Sequence, residues 1–214
     1  MKRKPFLIVV SAPSGAGKTS LCREVAKRLS RLHYGISATT RPKRPGERQG
    51  RDYHFLSPAA FEKGIRKGEF VESAKVYGHS YGTPRGELDS WLDKGYDVLL
   101  DVDVQGGQSL RRLYPEASFV FVVAPSLATY CERLHKRGLD SKEAIARRMK
   151  NVRRELLAGR KYDYRIVNSN LAQAASELEA IIRVERLKVF RSWDRKRGSR
   201  RPKQDISKGG RSNP

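Results

Sequence analysis

The chain has no run of about 18 consecutive apolar residues, the length a membrane-crossing helix needs. Met1 to Val10 is basic, and its apolar part is too short for a signal peptide. These two absences predict a cytoplasmic protein with no membrane partner. Cysteine is scarce: Cys22 and Cys131 have neither metal-ligand spacing nor a disulfide framework, and each falls in a predicted helix, so both read as reduced packing residues. Acidic residues are in deficit, 23 against 45 Lys and Arg, which leaves a formal charge of +22. Such a field favours polyanions, whether nucleotides, nucleic acid or acidic lipid, without choosing among them. No aromatic-rich recognition motif accompanies the basic stretches, which argues against an obligate nucleic-acid partner.

At 214 residues the chain fits one folding unit with room for inserted subdomains. The last twenty residues carry eight basic side chains and Asp205 alone on the acidic side, a net +7, with almost nothing apolar. Such a tail buries too little surface to offset its ordering entropy, so 194–214 is expected to be disordered and suited to polyanions. No internal repeat is evident.

The most informative stretch is Ser11 to Ser20, SAPSGAGKTS, between the apolar run Phe6 to Val10 and a helical pattern with Leu21, Val25 and Leu29 on one face. Strand, glycine turn and helix form a phosphate-binding loop: Gly15 and Gly17 let the backbone N–H groups turn inward, and the helix N-terminus adds partial positive charge. Lys18 supplies a mobile full charge for the β- and γ-phosphates, and Thr19 a hydroxyl for the magnesium that travels with ATP. The general pattern G-x-x-x-x-G-K-[ST] has glycine where this chain has Ala12, so position 12 must adopt a backbone conformation that alanine tolerates.

Along the chain, the first helix is expected to fade near Leu32. Tyr34 to Gln49 is a basic loop stiffened by Pro42 and Pro45. Tyr53 to Leu56 reads as a strand, and Ser57–Pro58 as the cap and first turn of a helix with Phe61 and Ile65 on one face. Phe70 to Val76 reads as a strand, Gly78 to Gly82 as a turn and Pro84 to Lys94 as a helix. DVLLDVD, Asp97 to Asp103, is an apolar strand ending in two carboxylates, and Phe119 to Val123 and Ile166 to Val167 are further strands. Two basic helical patterns, Ser126 to Lys136 and Ser141 to about Leu157, lie between them. A last helix, Asn170 to about Phe190, places Leu171, Ala174, Leu178, Ile181 and Ile182 on one face. The β-α alternation predicts an α/β fold with a parallel sheet covered on both faces.

The order of these pieces resembles a nucleoside monophosphate kinase, and in particular the guanylate kinase family. The resemblance spans about Phe6 to Phe190. It rests on SAPSGAGKTS, Ser37 with TTRPKRPGE and RDYHF, FVE ending in Glu72, YGT at Tyr81 to Thr83, DVDVQG, the KRG and RRM pieces at Arg137 and Arg148, and IVN ending in Asn168. It implies a P-loop kinase with a GMP-binding lobe and a helical lid. Ala12, Pro13, Ser14, Gly15, Ala16, Gly17, Lys18, Thr19 and Ser20 are then the ATP loop, with Asn168 toward adenine and Thr19 on the metal. Arg41, Arg44, Tyr53 and Tyr81 are implied to hold the GMP phosphate, with Glu47 in the same site, and Ser37, Glu72, Thr83 and Asp103 to hold guanine. Lys18, Arg41, Arg137 and Arg148 are the implied catalytic cations.

Glu72 carries the base preference, because an ionised carboxylate only accepts while guanine offers two adjacent donors and adenine an acceptor at the matching ring nitrogen. Asp101 and Asp103 stay open: either can orient magnesium waters or the lysine, touch guanine, or cap the next helix. The implied activity is magnesium-dependent transfer of the ATP γ-phosphoryl group to GMP or dGMP, the alternative being a catalytically inactive guanylate-kinase-like interaction module. The implied division is a core of 1–34, 95–125 and 159–193, a GMP-binding subdomain 35–94, a lid 126–158 and the tail. The sequence is compatible with a homo-oligomer.

Overall fold

A computed structural model describes residues 3–136 and 142–193. Its elements in chain order are β1 (Leu7–Ser11), α1 (Lys18–Arg28), β2 (Leu32–Tyr34), β3 (Ala38–Thr39), β4 (His54–Phe55), α2 (Pro58–Arg66), β5 (Phe70–Val76), β6 (His79–Pro84), α3 (Arg85–Asp93), β7 (Asp97–Asp101), α4 (Val104–Leu113), β8 (Ser118–Val123), α5 (Leu127–Lys136), α6 (Lys142–Ala158), β9 (Tyr164–Val167), α7 (Leu171–Arg186) and α8 (Val189–Trp193). Arg137 and the 194–214 tail lie outside the described residues. Among the described residues no helix is long and apolar enough to cross a membrane.

The main sheet is wholly parallel, in the order β2-β7-β1-β8-β9. Ile8, Val10, Leu99, Val120 and Val122 face a core closed by Leu21, Cys22 and Val25 of α1 and Ala174, Leu178 and Ile182 of α7. Leu7, Val9, Val98, Leu100 and Phe119 face a second core with Leu88 of α3 and Leu110 of α4. Both faces are therefore dry, which is why the strand sequences are continuously apolar rather than alternating. The α/β class expected from the sequence is the observed one.

A smaller mixed sheet, β4-β3-β6-β5, lies between β2 and β7 in the chain and has its own core of Ala38, Phe61 and Phe70. Val71 of β5 packs into the second main-sheet core, so the two sheets share that strand's flank. Ser57 caps α2 as expected, its Oγ accepting from the Ala60 N–H at 3.2 Å.

Several boundaries differ from the sequence reading. The first helix stops at Arg28, and Leu32–Tyr34 adds a strand to the edge of the main sheet beside β7. The predicted turn at Gly78–Gly82 is mostly strand β6, since the chain reverses earlier, at Tyr77 and Gly78, both at positive φ. Ile65 is 49% exposed, and it is Gly64 that lies against Phe70. Leu171 is likewise exposed, while Ile181 is partly buried. Cys22 is fully buried; Cys131 is only half-buried, with its Sγ 3.5 Å from His135 Nδ1.

The last predicted helix is broken into α7 and α8 by a buried ion pair. Glu185, with no exposed surface, accepts from Ser118 Oγ at 2.7 Å, Tyr164 Oη at 2.6 Å and Arg191 Nη2 at 3.0 Å. Burial opposes its charge, yet these donors and Lys188 hold its pKa down at about 2. Arg191, 3% exposed, also reaches the Glu116 carbonyl and stacks over Phe6, so the chain must turn after Arg186 to deliver it. Removing one partner of a buried pair strands the other charge. Arg191→Ala should therefore lower unfolding free energy by about 3 to 5 kcal/mol in urea titration, and a loss below 1 kcal/mol would show that the pair does not fix α8.

Candidate active site

The loop after β1 has the geometry its glycines foreshadow. Gly15 (φ 91) and Gly17 (φ 83) are left-handed, and Gly17 sits at the N-cap of α1 with no side chain capping the first turn. Outside glycine, positive φ among the described residues occurs only at Arg31 and Tyr77, so Ala12 has an ordinary backbone and packs in the core. Pro13 is buried, Ser14 and Thr19 are half-buried, and Ser20 is exposed. A Cβ on Gly17 would come within 2.5 Å of Asn168 Nδ2, a second reason for glycine there. Asn168 is itself buried and donates from Nδ2 to the Ala16 carbonyl at 2.7 Å. Arg133 of α5 donates to the Asn168 carbonyl at 2.9 Å. Asn168 thus braces the turn of the loop.

Asp101 closes the end of β7 beside this loop. Its carboxylate pairs with Lys18 and accepts from Thr19 Oγ1 at 2.6 Å and Tyr34 Oη at 3.2 Å. Lys18 also donates to the Val102 carbonyl at 2.7 Å. Burial disfavours the Lys18 charge, but Asp101 outweighs it and the lysine pKa is raised. Asp103 is the N-cap of α4, accepting from the Gly106 N–H at 2.9 Å. Asp101 thus pairs with the lysine and the hydroxyl, and Asp103 caps α4.

On the smaller sheet, Glu72 lies where the β5–β6 register shifts between Phe70 and Ser73. A bulge of this kind re-aims side chains. Glu72 is 8% exposed and accepts from Thr83 Oγ1 at 2.7 Å; burial and the nearby Asp103 push its pKa up to about 7, against the Thr83 hydrogen bonds. A Cβ on Gly106 would meet Glu72 Oε2 at 2.6 Å, so glycine at the start of α4 leaves room for that carboxyl. Ser37 is half-buried just before β3, where its carbonyl takes the His54 N–H at 2.9 Å.

The basic loop is built on two acids that the sequence reading did not weigh in this role. Glu47 receives Arg41 Nη2 at 2.7 and 3.0 Å and the Arg44 N–H at 2.8 Å. Asp52 receives the Arg48 N–H at 2.7 Å, Arg23 at 2.5 Å and Arg51 at 2.8 Å, and despite burial its pKa falls to about 2. Arg41 lies over the Tyr53 ring at 5.3 Å, and Tyr53 meets Tyr81 edge-on at 6.1 Å. Tyr53 is also close enough to Asp101 and Lys18 for both charges to act on its phenol, so the basic cluster and the phosphate loop border one space.

From the other side, α6 reaches both sheets. Arg148 Nη1 is 3.5 Å from Ser14 Oγ and its guanidinium lies over Tyr77 of the β5–β6 turn at 4.7 Å. Glu155, two turns on, takes the Ser14 backbone N–H. Neither Tyr77 nor Glu155 carried a sequence signal. Contacts and charge effects link Lys18, Arg41, Tyr53, Tyr81, Glu72, Thr83 and Asp103, with Arg148 at Ser14, whereas Ala12 and Asn168 are buried and Arg137 is not among the described residues. Asn168→Ala would leave the buried Ala16 carbonyl with the longer 3.4 Å bond from Arg133 Nη1 in place of the 2.7 Å one, and should cost about 1 to 3 kcal/mol in urea unfolding. It should also speed hydrogen exchange at the Gly15 to Lys18 amides; unchanged exchange would remove the brace from the explanation.

Residues 3–185 match the sequence model of the family described as Guanylate kinase. The guanylate kinase of Desulfotalea psychrophila is 48% identical over 190 residues, covering 88% of this chain and 94% of that one. That of Carboxydothermus hydrogenoformans is 46% identical over 188 residues, covering 88% and 92%. A crystal structure of guanylate kinase from Anaplasma phagocytophilum superimposes with a TM-score of 0.76 at 30% identity, covering 89% of this chain and 90% of that chain. With a matching family model, close relatives over nearly its whole length and the same fold, the chain belongs to the guanylate kinase family.

Proposed function

We propose that the chain transfers the γ-phosphoryl group of ATP to the phosphate of GMP or dGMP, giving ADP and GDP or dGDP in the cytoplasm. The observation that carries the choice of base is Glu72, a buried acceptor beside Thr83 at the entrance to α4. Guanine's ring N–H and exocyclic amine would occupy its two oxygens, whereas adenine would set a lone pair against it. Ser37 and Thr83 would join Glu72 in holding guanine. Asp103 acts on that site through charge and through its cap on α4.

The donor half is the loop Ala12 to Ser20, with Gly15, Gly17 and the α1 N-terminus cradling phosphate and Lys18 leaving Asp101 to follow it. Asn168 contributes by holding that loop. The acceptor half is Arg41, Arg44, Tyr53 and Tyr81, with Glu47 aligning both arginines. The acceptor phosphate has a second pKa of about 6 and is largely dianionic at neutral pH, so no general base is required. The obstacle is repulsion between polyanions, which Lys18, Arg41, Arg44, Arg148 and Arg137 offset. Thr19 Oγ1 and Asp101, 2.6 Å apart, fit the magnesium that arrives with ATP, the hydroxyl as ligand and the carboxylate through water. When bound, that ion would neutralise phosphate charge. In this reading 35–94 is the acceptor lobe, 126–158 the lid, and the remaining described residues the core.

Glu72→Gln replaces one acceptor oxygen by a donor. It should raise the KM for GMP about 10- to 100-fold, the worth of a charge-assisted hydrogen bond, while the KM for ATP stays within about threefold. Because the free carboxyl titrates near 7 and guanine favours its ionised form, GMP affinity should rise from pH 6 to 8 in the wild type beyond the rise seen in the variant. Equal losses for ATP and GMP would contradict the assignment.

A further inference from the structure

Glu155 is an acid on the face that α6 turns to the phosphate loop, two helical turns beyond Arg148. One carboxyl oxygen takes the Ser14 N–H, next to the amides of Gly15 to Lys18. The other, Oε2, is buried and has no hydrogen-bond partner. A buried polar atom left in this way is rare enough to require a reason. The charged and titratable groups that act on the carboxyl come from each neighbouring element: Lys18 from α1, Asp103 from the cap of α4, Arg148 from α6 itself, and Tyr130 from α5. Burial and then Asp103 drive its pKa up to about 7, against Lys18, the Ser14 N–H and Arg148.

A bound polyphosphate would add negative charge and push the pKa higher. With an anion in the loop, the neutral acid is favoured over the carboxylate. As an acid, its carbonyl oxygen accepts from Ser14, and Oε2 carries an O–H that still lacks an acceptor, which a phosphate held by the adjoining loop would supply. As a carboxylate, it would leave a buried oxygen unsatisfied and repel the phosphate.

We propose that Glu155 is a further catalytic residue, whose carboxylic acid form donates a hydrogen bond from Oε2 to the phosphoryl group in transit between ATP and the acceptor, on the reading of function given above. The bond from Pγ to the β,γ-bridging oxygen breaks, its electron pair stays on ADP, and a new bond forms from Pγ to a phosphate oxygen of GMP. Glu155 keeps its proton throughout. Its role is to stabilise equatorial oxygens whose charge the surrounding cations balance only in part.

The test is the pH dependence of kcat for ATP and GMP in wild type, Glu155→Gln and Glu155→Ala, with melting temperatures as the check on folding. Wild-type kcat should fall as pH rises from 7 to 9 and the acid ionises. Glu155→Gln keeps a donor and an acceptor and cannot ionise, so it should stay within about threefold of wild type at pH 6.5 and lose that alkaline fall. Glu155→Ala should drop kcat about 100-fold at every pH, with the KM for GMP little changed. Glu155→Gln as impaired as Glu155→Ala, or an alkaline fall unchanged in Glu155→Gln, would overturn the proposal. If the alanine variant does not fold, the glutamine profile decides alone. A wild type that transfers nothing to GMP would overturn the reading of function as well, whereas an active wild type with a failing glutamine variant overturns only the role of Glu155.

Discussion

The convergence of Lys18, Thr19 and Tyr34 on Asp101 depends on one backbone fact, that β1 and β7 are parallel neighbours with Val10 registered opposite Asp101. Parallel strands bring their carboxyl ends to the same edge of the sheet, which is where an open α/β sheet receives ligands. The loop after β1 and the acid at the end of β7 therefore meet without either being long or flexible. The helices on both faces hold that pairing, and the smaller sheet is fastened to the same edge through Val71 in the second core and Glu72 against Gly106.

In a chain of charge +22, the carboxylates decide how the cations are used. Asp101 holds the lysine, Glu47 and Asp52 shape the basic loop, and Glu185 and Asp97 anchor the far end, the latter gripping Arg3 with two bonds of 2.7 Å and Arg186 at 2.8 Å. Each of these acids is satisfied by several donors. Glu72 and Glu155 are different: Glu72 is buried and Glu155 half-buried with a buried Oε2, both have pKa values pushed up to about 7, and both have capacity to spare. Perturbed acids in a cleft are where function concentrates. One lies on the smaller sheet, and the other lies against Ser14 of the glycine loop.

The parts legible in the sequence are those whose chemistry is local. Gly15, Gly17 and Lys18 announce their loop because the required backbone and charge lie in consecutive residues, and continuous apolar runs announce buried parallel strands. Short strands were not legible: Leu32–Tyr34 and Ala38–Thr39 are strands because of partners far along the chain, and β propensity is largely a matter of such context. The break between α7 and α8 was hidden for a similar reason, since Glu185 and Arg191 read as surface charges until their burial is seen. Glu155 sits among Arg153, Arg154 and Lys150 on a helix that reads as solvated, and only the packing of α6 on Ser14 distinguishes it. The resemblance to a family supplied the acceptor residues that spacing alone could not assign, and it did not reveal that Glu47 and Asp52 organise them.

The claim that binds these observations is that the cleft selects its acceptor through the base, at Glu72, while the cations, aided by the hydrogen bond from Glu155, drive the transfer. It is tested most directly by initial rates with ATP, magnesium and each of GMP, AMP, CMP and UMP in turn. A cleft built as described should favour GMP over AMP in kcat/KM by about 10000-fold or more, since a site made to pair with donors strongly rejects a base that lacks them. Comparable rates with AMP would contradict it.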